Sequence, residues 1–183
     1  MDKNSLSLNN ISRDQAFDFL HTLAMNDTIV HSPSDNNVPD DSPYNNIKLQ
    51  CSYLNEYQFI EKYKNLNELS FMSFNIQSLP SKFSELQILI QLLQFHRCAP
   101  DVILLQEIWN IIDPSFFHIE GYHPIIYKSR TLSQGGGVGI YIKSDYRFNI
   151  LHSKSIFIDR VFESLTVEVF FSNNKKKHIF LCL

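Results

Sequence analysis

The sequence predicts a mixed α/β sandwich, made of one βαβ unit followed by antiparallel strands. Three observations predict it. Residues 71–78 (Phe-Met-Ser-Phe-Asn-Ile-Gln-Ser) and 101–107 (Asp-Val-Ile-Leu-Leu-Gln-Glu) are apolar runs of strand length, and each stops on a polar group, Asn75 or Glu107. Between them Phe83, Leu86, Leu89, Ile90 and Leu93 recur at helical spacing. Beyond residue 120, short runs rich in Val, Ile, Phe and Tyr alternate with turn residues, as in a β-meander.

The elements follow in order. Ser12-x-x-Gln15 has capping-box form, and Phe17, Leu20, Leu23 and Ala24 continue it as an amphipathic helix. Residues 26–46 hold Pro33, Pro39 and Pro43 among Asp, Asn and Ser, so they bury too little apolar surface to offset ordering entropy. A short helix is expected over 53–63, using Tyr57, Ile60 and Tyr63. A strand over 69–76 comes next, then punctuation at Pro80 and Ser81. The helix through Leu93 stops before Pro100, which disfavours helical geometry at Ala99. The strand over 101–107 has a Val-Ile-Leu-Leu centre suited to burial on both faces. Strand, helix and strand make a βαβ unit with a right-handed crossover. Further strands are expected over 122–128, 138–143, 147–151, 161–171 and 178–183, with Asn173-Asn174 turning the last pair.

Composition narrows the function. The chain has 183 residues, 44% hydrophobic, with 15 Phe and 8 Tyr, enough for one sizeable core. Residues 1–69 carry 5 Lys+Arg against 10 Asp+Glu, and residues 70–183 carry 11 against 9. The second part is only mildly basic, so a large counterion-release contribution to nucleic-acid binding is excluded. Cys51, Cys98 and Cys182 are too far apart for zinc spacing, which points to a reduced, intracellular setting, nucleus or cytoplasm. The start is polar, unlike a signal peptide, and no run reaches the roughly 20 apolar residues of a membrane span.

Glu107, at the end of a buried strand, suits magnesium, which takes one or two carboxylates with waters and substrate phosphates. The competing reading is a surface acid at a strand-to-loop junction. Asn75 can bond a phosphate or a ligand water, or simply cap the following turn. The run Ser133-Gln134-Gly135-Gly136-Gly137-Val138-Gly139 is not a phosphate loop. No Gly-Lys-Ser/Thr follows, and the glycines lead into a strand. The seven histidines form no His-x-x-x-His pair. Glu163 and Glu168 are five apart on one strand and so on opposite faces; Glu163 reads as a solvated acid, with a cleft-facing acceptor as the sharper alternative. Lys175-Lys176-Lys177 reads as a solubilising run. Trp109 within 108–117 reads as part of a packed loop, with nucleic-acid stacking as the minority reading.

Two motifs carry a resemblance. Ser73-Phe74-Asn75-Ile76-Gln77-Ser78 and Pro100-Asp101-Val102-Ile103-Leu104-Leu105-Gln106-Glu107-Ile108-Trp109 resemble the start of the endonuclease/exonuclease/phosphatase superfamily. Gly135 to Lys143, followed by Val161-Phe162-Glu163-Ser164-Leu165, is similar to the endonuclease of non-LTR retrotransposons. The likeness covers about residues 69–183, the first half of such a domain. It implies a truncated four-layer α/β sandwich of the deoxyribonuclease-like type. Residues 1–25 are then a leader with its amphipathic helix, 26–68 a mostly disordered linker, and 69–183 the partial domain.

The resemblance also implies a site. Glu107 would be the metal-binding glutamate, and Asn75 would orient the phosphate or attacking water and contribute to the metal site. Arg130 and Gln134 stand where a basic residue before the glycine run would meet substrate. The cofactor would be magnesium or manganese, weakly bound here, and the partner DNA, with self-association through open sheet edges. The superfamily's later tyrosine, Asp-x-Asn and Asp-His motifs have no counterpart in these residues. Three readings follow: a DNA endonuclease fragment that does not cut by itself, a non-catalytic DNA- or protein-binding remnant, or a phosphomonoesterase or lipid phosphodiesterase of the same superfamily.

Overall fold

In a computed structural model of the chain, residues 54–65, 69–130, 135–158, 161–171 and 176–183 are described. The expected leader helix, the proline-rich stretch and the Asn173-Asn174 turn lie outside them. Helix α1 spans Glu56–Tyr63 and opens on a capping box: Asn55 Oδ1 accepts from Gln58 N at 2.9 Å, and Gln58 Oε1 accepts from Asn55 N at 3.0 Å. It buries Ile60 and packs Phe59 on the core, while Tyr57, expected inside, is exposed.

Strand β1 (Phe71–Asn75), helix α2 (Leu79–Phe95) and strand β2 (Val102–Gln106) form the βαβ unit, with β1 and β2 parallel. Pro80 lies in the first turn of α2, where its missing N–H costs nothing, and Ser78 Oγ caps Ser81 N. The helix ends in a Schellman arrangement. Arg97 takes φ +57, its N–H donates to Gln94 O, and Cys98 N–H donates to Leu93 O.

Strands β3 (Ile126–Lys128) and β4 (Val138–Ile142) complete a four-stranded sheet of order β1-β2-β4-β3. The strand expected from residue 122 is shorter because Pro124 offers no N–H to a ladder; Tyr122 makes only an isolated bridge to Lys143. Strands β5 (Arg147–Ile150), β8 (Leu165–Phe171) and β9 (Lys176–Cys182) form an antiparallel sheet of order β5-β8-β9. Strands β6 (Phe157–Ile158) and β7 (Phe162–Glu163) pair separately.

The single strand expected over 161–171 is therefore two. Ser164 divides them, its N–H donating to Ile156 O at 2.7 Å while its hydroxyl accepts from Ile156 N at 2.9 Å. Glu163 and Glu168 consequently sit in different sheets.

Strand β2 is buried on both faces. Ile103 and Leu105 join Leu86, Leu89, Ile90 and Leu93 of α2 in one core; Val102 and Leu104 join Val167, Val169 and Phe180 of the second sheet in another. Helix, sheet and sheet are three of the four layers expected of the sandwich. Among the described residues no helix is long and apolar enough to cross a membrane.

Candidate metal and phosphate site

The site forms where β1 and β2 end. Their register pairs Asn75 with Gln106, so Glu107 follows one residue beyond. The two outgoing loops stay stitched: Ile76 N donates to Gln106 O at 3.0 Å, Ser78 N to Glu107 O at 2.8 Å and Leu79 N to Ile108 O at 3.0 Å. These bonds hold an unusual backbone. Gln77, Ser78, Glu107 and Trp109 all have positive φ, at 49°, 91°, 54° and 61°. Such left-handed non-glycine residues cost about 1–2 kcal/mol each and persist where surrounding contacts over-determine them. Asn75 Oδ1 accepts from Gln77 N at 3.0 Å, an Asx turn that locks the start of this loop.

Glu107 is oriented by the glycine run. The antiparallel register sets Val138 of β4 opposite Gln106 of β2, which brings Gly136 and Gly137 alongside Glu107 and Ile108. Gly136 N–H donates to Glu107 Oε2 at 2.7 Å, and the Trp109 indole N–H reaches the same oxygen at 3.3 Å. In return Trp109 N–H donates to Gly136 O at 2.8 Å and Ile108 N–H to Gly137 O at 3.3 Å.

The next amide serves a second acid. Gly137 N–H donates to Glu163 Oε2, and Arg130 Nε–H donates to Glu163 Oε1. The Glu163 side chain is 7% exposed and the Arg130 side chain 23%. The solvated-acid reading of Glu163 is thus overturned: it is a buried acceptor, bonded to Gly137 N–H and Arg130. An acid on a strand face looks solvated until its partners, 26 and 33 residues away in sequence, are known. Its place among the last residues of the glycine-associated motif was the signal available.

Behind the site, Gln106 Nε2 donates to Ser73 Oγ at 3.1 Å and lies 3.6 Å from Cys182 Sγ, pinning the first sheet to the second. Burial pushes the Cys182 thiol up to about 11.

Asn75 and Glu107 therefore stand at neighbouring strand ends, and Arg130 stands at the glycine run, engaged with Glu163. Gln134 lies outside the described residues. His123 is at the opposite end of the sheet, where its N–H donates to Ile142 O and its ring pairs with Tyr146 O at 2.9 Å. That end is closed by Asp101, which accepts from Ser70, Lys143 and Tyr146. Lys177 pairs with Glu168 at 3.0 Å.

Among the described residues no three His, Cys, Asp or Glu side chains converge as a metal cage. At the ends of the two adjacent strands stand one amide oxygen, on Asn75, and one carboxylate, on Glu107. That donor set suits a hard cation keeping most of its waters, as magnesium does.

The Endonuclease/Exonuclease/phosphatase family model matches residues 72–174. Among solved structures, humanized TDP2 of D. rerio carrying 14 mutations aligns at 23% identity with a TM-score of 0.41. The alignment covers 62% of this chain and 45% of that one, so the chain spans less than half the length of that neighbour. No curated protein matches the chain.

Proposed function

This chain belongs to the Endonuclease/Exonuclease/phosphatase family, and on that premise we propose that residues 69–183 are the metal-holding half of a phosphodiesterase domain, the DNA endonuclease of a retroelement. One observation carries the reading. Asn75 and Glu107 end adjacent parallel strands, and the Glu107 carboxylate is fixed by Gly136 N–H at 2.7 Å. A carboxylate held this way loses little side-chain freedom on meeting a cation.

Glu107 would hold magnesium or manganese, with Asn75 beside it to orient the phosphate or the attacking water. The bound ion supplies charge stabilisation to the phosphoryl oxygens. Water activation and protonation of the leaving oxygen need further groups. Among the described residues no histidine is bonded to Asn75 or Glu107. On this reading the isolated chain binds a cation but does not cut.

Nicking of supercoiled plasmid tests this. The 183-residue chain with magnesium should stay at background. A chimera that adds the C-terminal half of a related endonuclease should nick, and Glu107→Ala or Asn75→Ala in that chimera should abolish or strongly reduce it. A chain that nicks unaided, and stops on Glu107→Ala, would show the site to be complete. A chimera that folds but never nicks would favour the non-catalytic binding remnant.

A further inference from the structure

The loop after β2 sends its apolar side chains two ways. Ile108, Ile111 and Ile119 are buried, and Phe117 packs edge-on to Phe83 of α2 with ring centroids 5.3 Å apart. From the same loop Trp109, Ile112 and Phe116 are 39%, 93% and 75% exposed. The buried set anchors the loop, so the exposed set is not needed for folding, and exposed apolar groups beside a site mark a contact surface.

Trp109 is the member whose placement is specified. Its backbone takes φ +61, its amide donates to Gly136 O, and its indole N–H donates to Glu107 Oε2. The polar edge of the ring is tied to the candidate metal ligand, while part of the ring stays open.

We propose that Trp109 is a stacking platform for the base of the nucleotide whose phosphate sits at Glu107. The substrate is then a nucleic-acid strand with an unstacked base at this point. The inference rests on the phosphodiesterase reading above and deepens it. A base is joined to its phosphate through one sugar, so a phosphate held at Glu107 brings a base within reach of a ring hydrogen-bonded to that glutamate. Aromatic stacking accepts any base, because each has a π face. A lipid surface fits less well. Residues 108–121 include Asp113 and Glu120 and no Lys or Arg, and the Trp109 N–H is directed to a carboxylate rather than to a headgroup plane.

Trp109 is the only tryptophan, so intrinsic fluorescence reports this position alone. The full chain is titrated with oligothymidylate and with an abasic strand of equal length, with and without magnesium. Oligothymidylate should quench the indole and the abasic strand should not. Trp109→Ala should weaken binding of dye-labelled oligothymidylate by about fivefold or more, the loss of one base–aromatic stack. Trp109→Phe, which keeps a ring, should retain most of the affinity.

No quenching by either strand, equal quenching by both, or an Ala variant as tight as the parent would overturn the proposal. So would a blue shift with phosphatidylcholine vesicles and no response to oligothymidylate, which would assign the loop to lipid. Cleavage is not needed for the readout, and because a phosphate meets the Glu107 carboxylate only through a cation, the arm with magnesium is the deciding one. Base-dependent quenching alongside a silent chimera would sink the phosphodiesterase reading alone. A nicking chimera without base-dependent quenching would sink the stacking platform alone.

Discussion

Glu107 and Glu163 accept hydrogen bonds from consecutive backbone amides, Glu107 from Gly136 N–H and Glu163 from Gly137 N–H. Two carboxylates gathered on one turn repel each other, and the Arg130 guanidinium on Glu163 offsets that repulsion. Glu163 thereby anchors the turn whose neighbouring amide orients Glu107.

Glu163→Ala should be destabilising by about 3 kcal/mol, because it strips the Gly137 amide and the Arg130 guanidinium of a buried acceptor. Glu163→Gln keeps one acceptor oxygen and should cost less. Urea denaturation measures both. An Ala variant unfolding at the parent's midpoint would show that the turn is held by other contacts.

Gly137→Ala should be more damaging than Gly135→Ala. Both residues lie at strongly positive φ, +84 and +87, and both variants pay about 1–2 kcal/mol of left-handed strain. Only at Gly137 would the new Cβ also collide, 2.9 Å from Ile108 Cγ1 and 3.0 Å from Lys128 O; at Gly135 the nearest atom is 3.7 Å away. The difference should be about 1 kcal/mol or more. Equal midpoints would mean that the turn yields freely.

Magnesium should bind no tighter than about millimolar, since one carboxylate and one amide oxygen make a partial site. Calorimetry or magnesium-dependent NMR shifts at the Gly136 amide would measure it. Micromolar affinity lost in Glu107→Ala would reveal further ligands.

Stability should fall in alkali. Burial raises the Cys182 thiol from 9.0 to about 11, so the unfolded chain ionises first, and the stabilisation is whole below pH 9.0 and lost as pH rises to about 11. Tyr146, raised from 10.0 to about 12 by burial and the nearby Asp101 carboxylate, extends the decline. Cys182→Ala should reduce the earlier part of this pH dependence, to which the Cys98 thiol, also raised by burial, contributes, and leave the later part. An unchanged profile would place the cause elsewhere.

The chain should self-associate. β1 and β9 each end a sheet, and Phe71 of β1 meets Phe180 of β9 with ring centroids 6.2 Å apart. Phe71, Ile179 and Leu181 are exposed along these edges. Open strand edges with apolar side chains favour pairing between chains. Hydrophobic-dye binding and concentration-dependent sedimentation are expected. A sharp unfolding transition of a monomer, independent of concentration, would count against it.

The βαβ unit was legible because its signals are local. An all-apolar strand centre at 102–105 and a helical stripe at 83–93 each report burial through their own periodicity. That Asn75 and Glu107 stand at the ends of adjacent strands was legible for the same reason, since parallel strands joined by one helix end at one edge. The break at Ser164 was not: its hydroxyl bonds Ile156, and nothing in the alternation of 161–171 announces a partner eight residues back.

By itself, then, the sequence determined the βαβ unit over residues 71–106 and the polar residues at which its strands stop, because side-chain period and chain connectivity are properties of neighbours. The tertiary structure alone decided that Gly136 orients Glu107 and that Gly137 and Arg130 bury Glu163. Those bonds span 29, 26 and 33 residues and depend on the β2–β4 register and on the separate β6–β7 pair. A one-residue slip of that register would carry the amides past their acceptors, and no local pattern records where they fall.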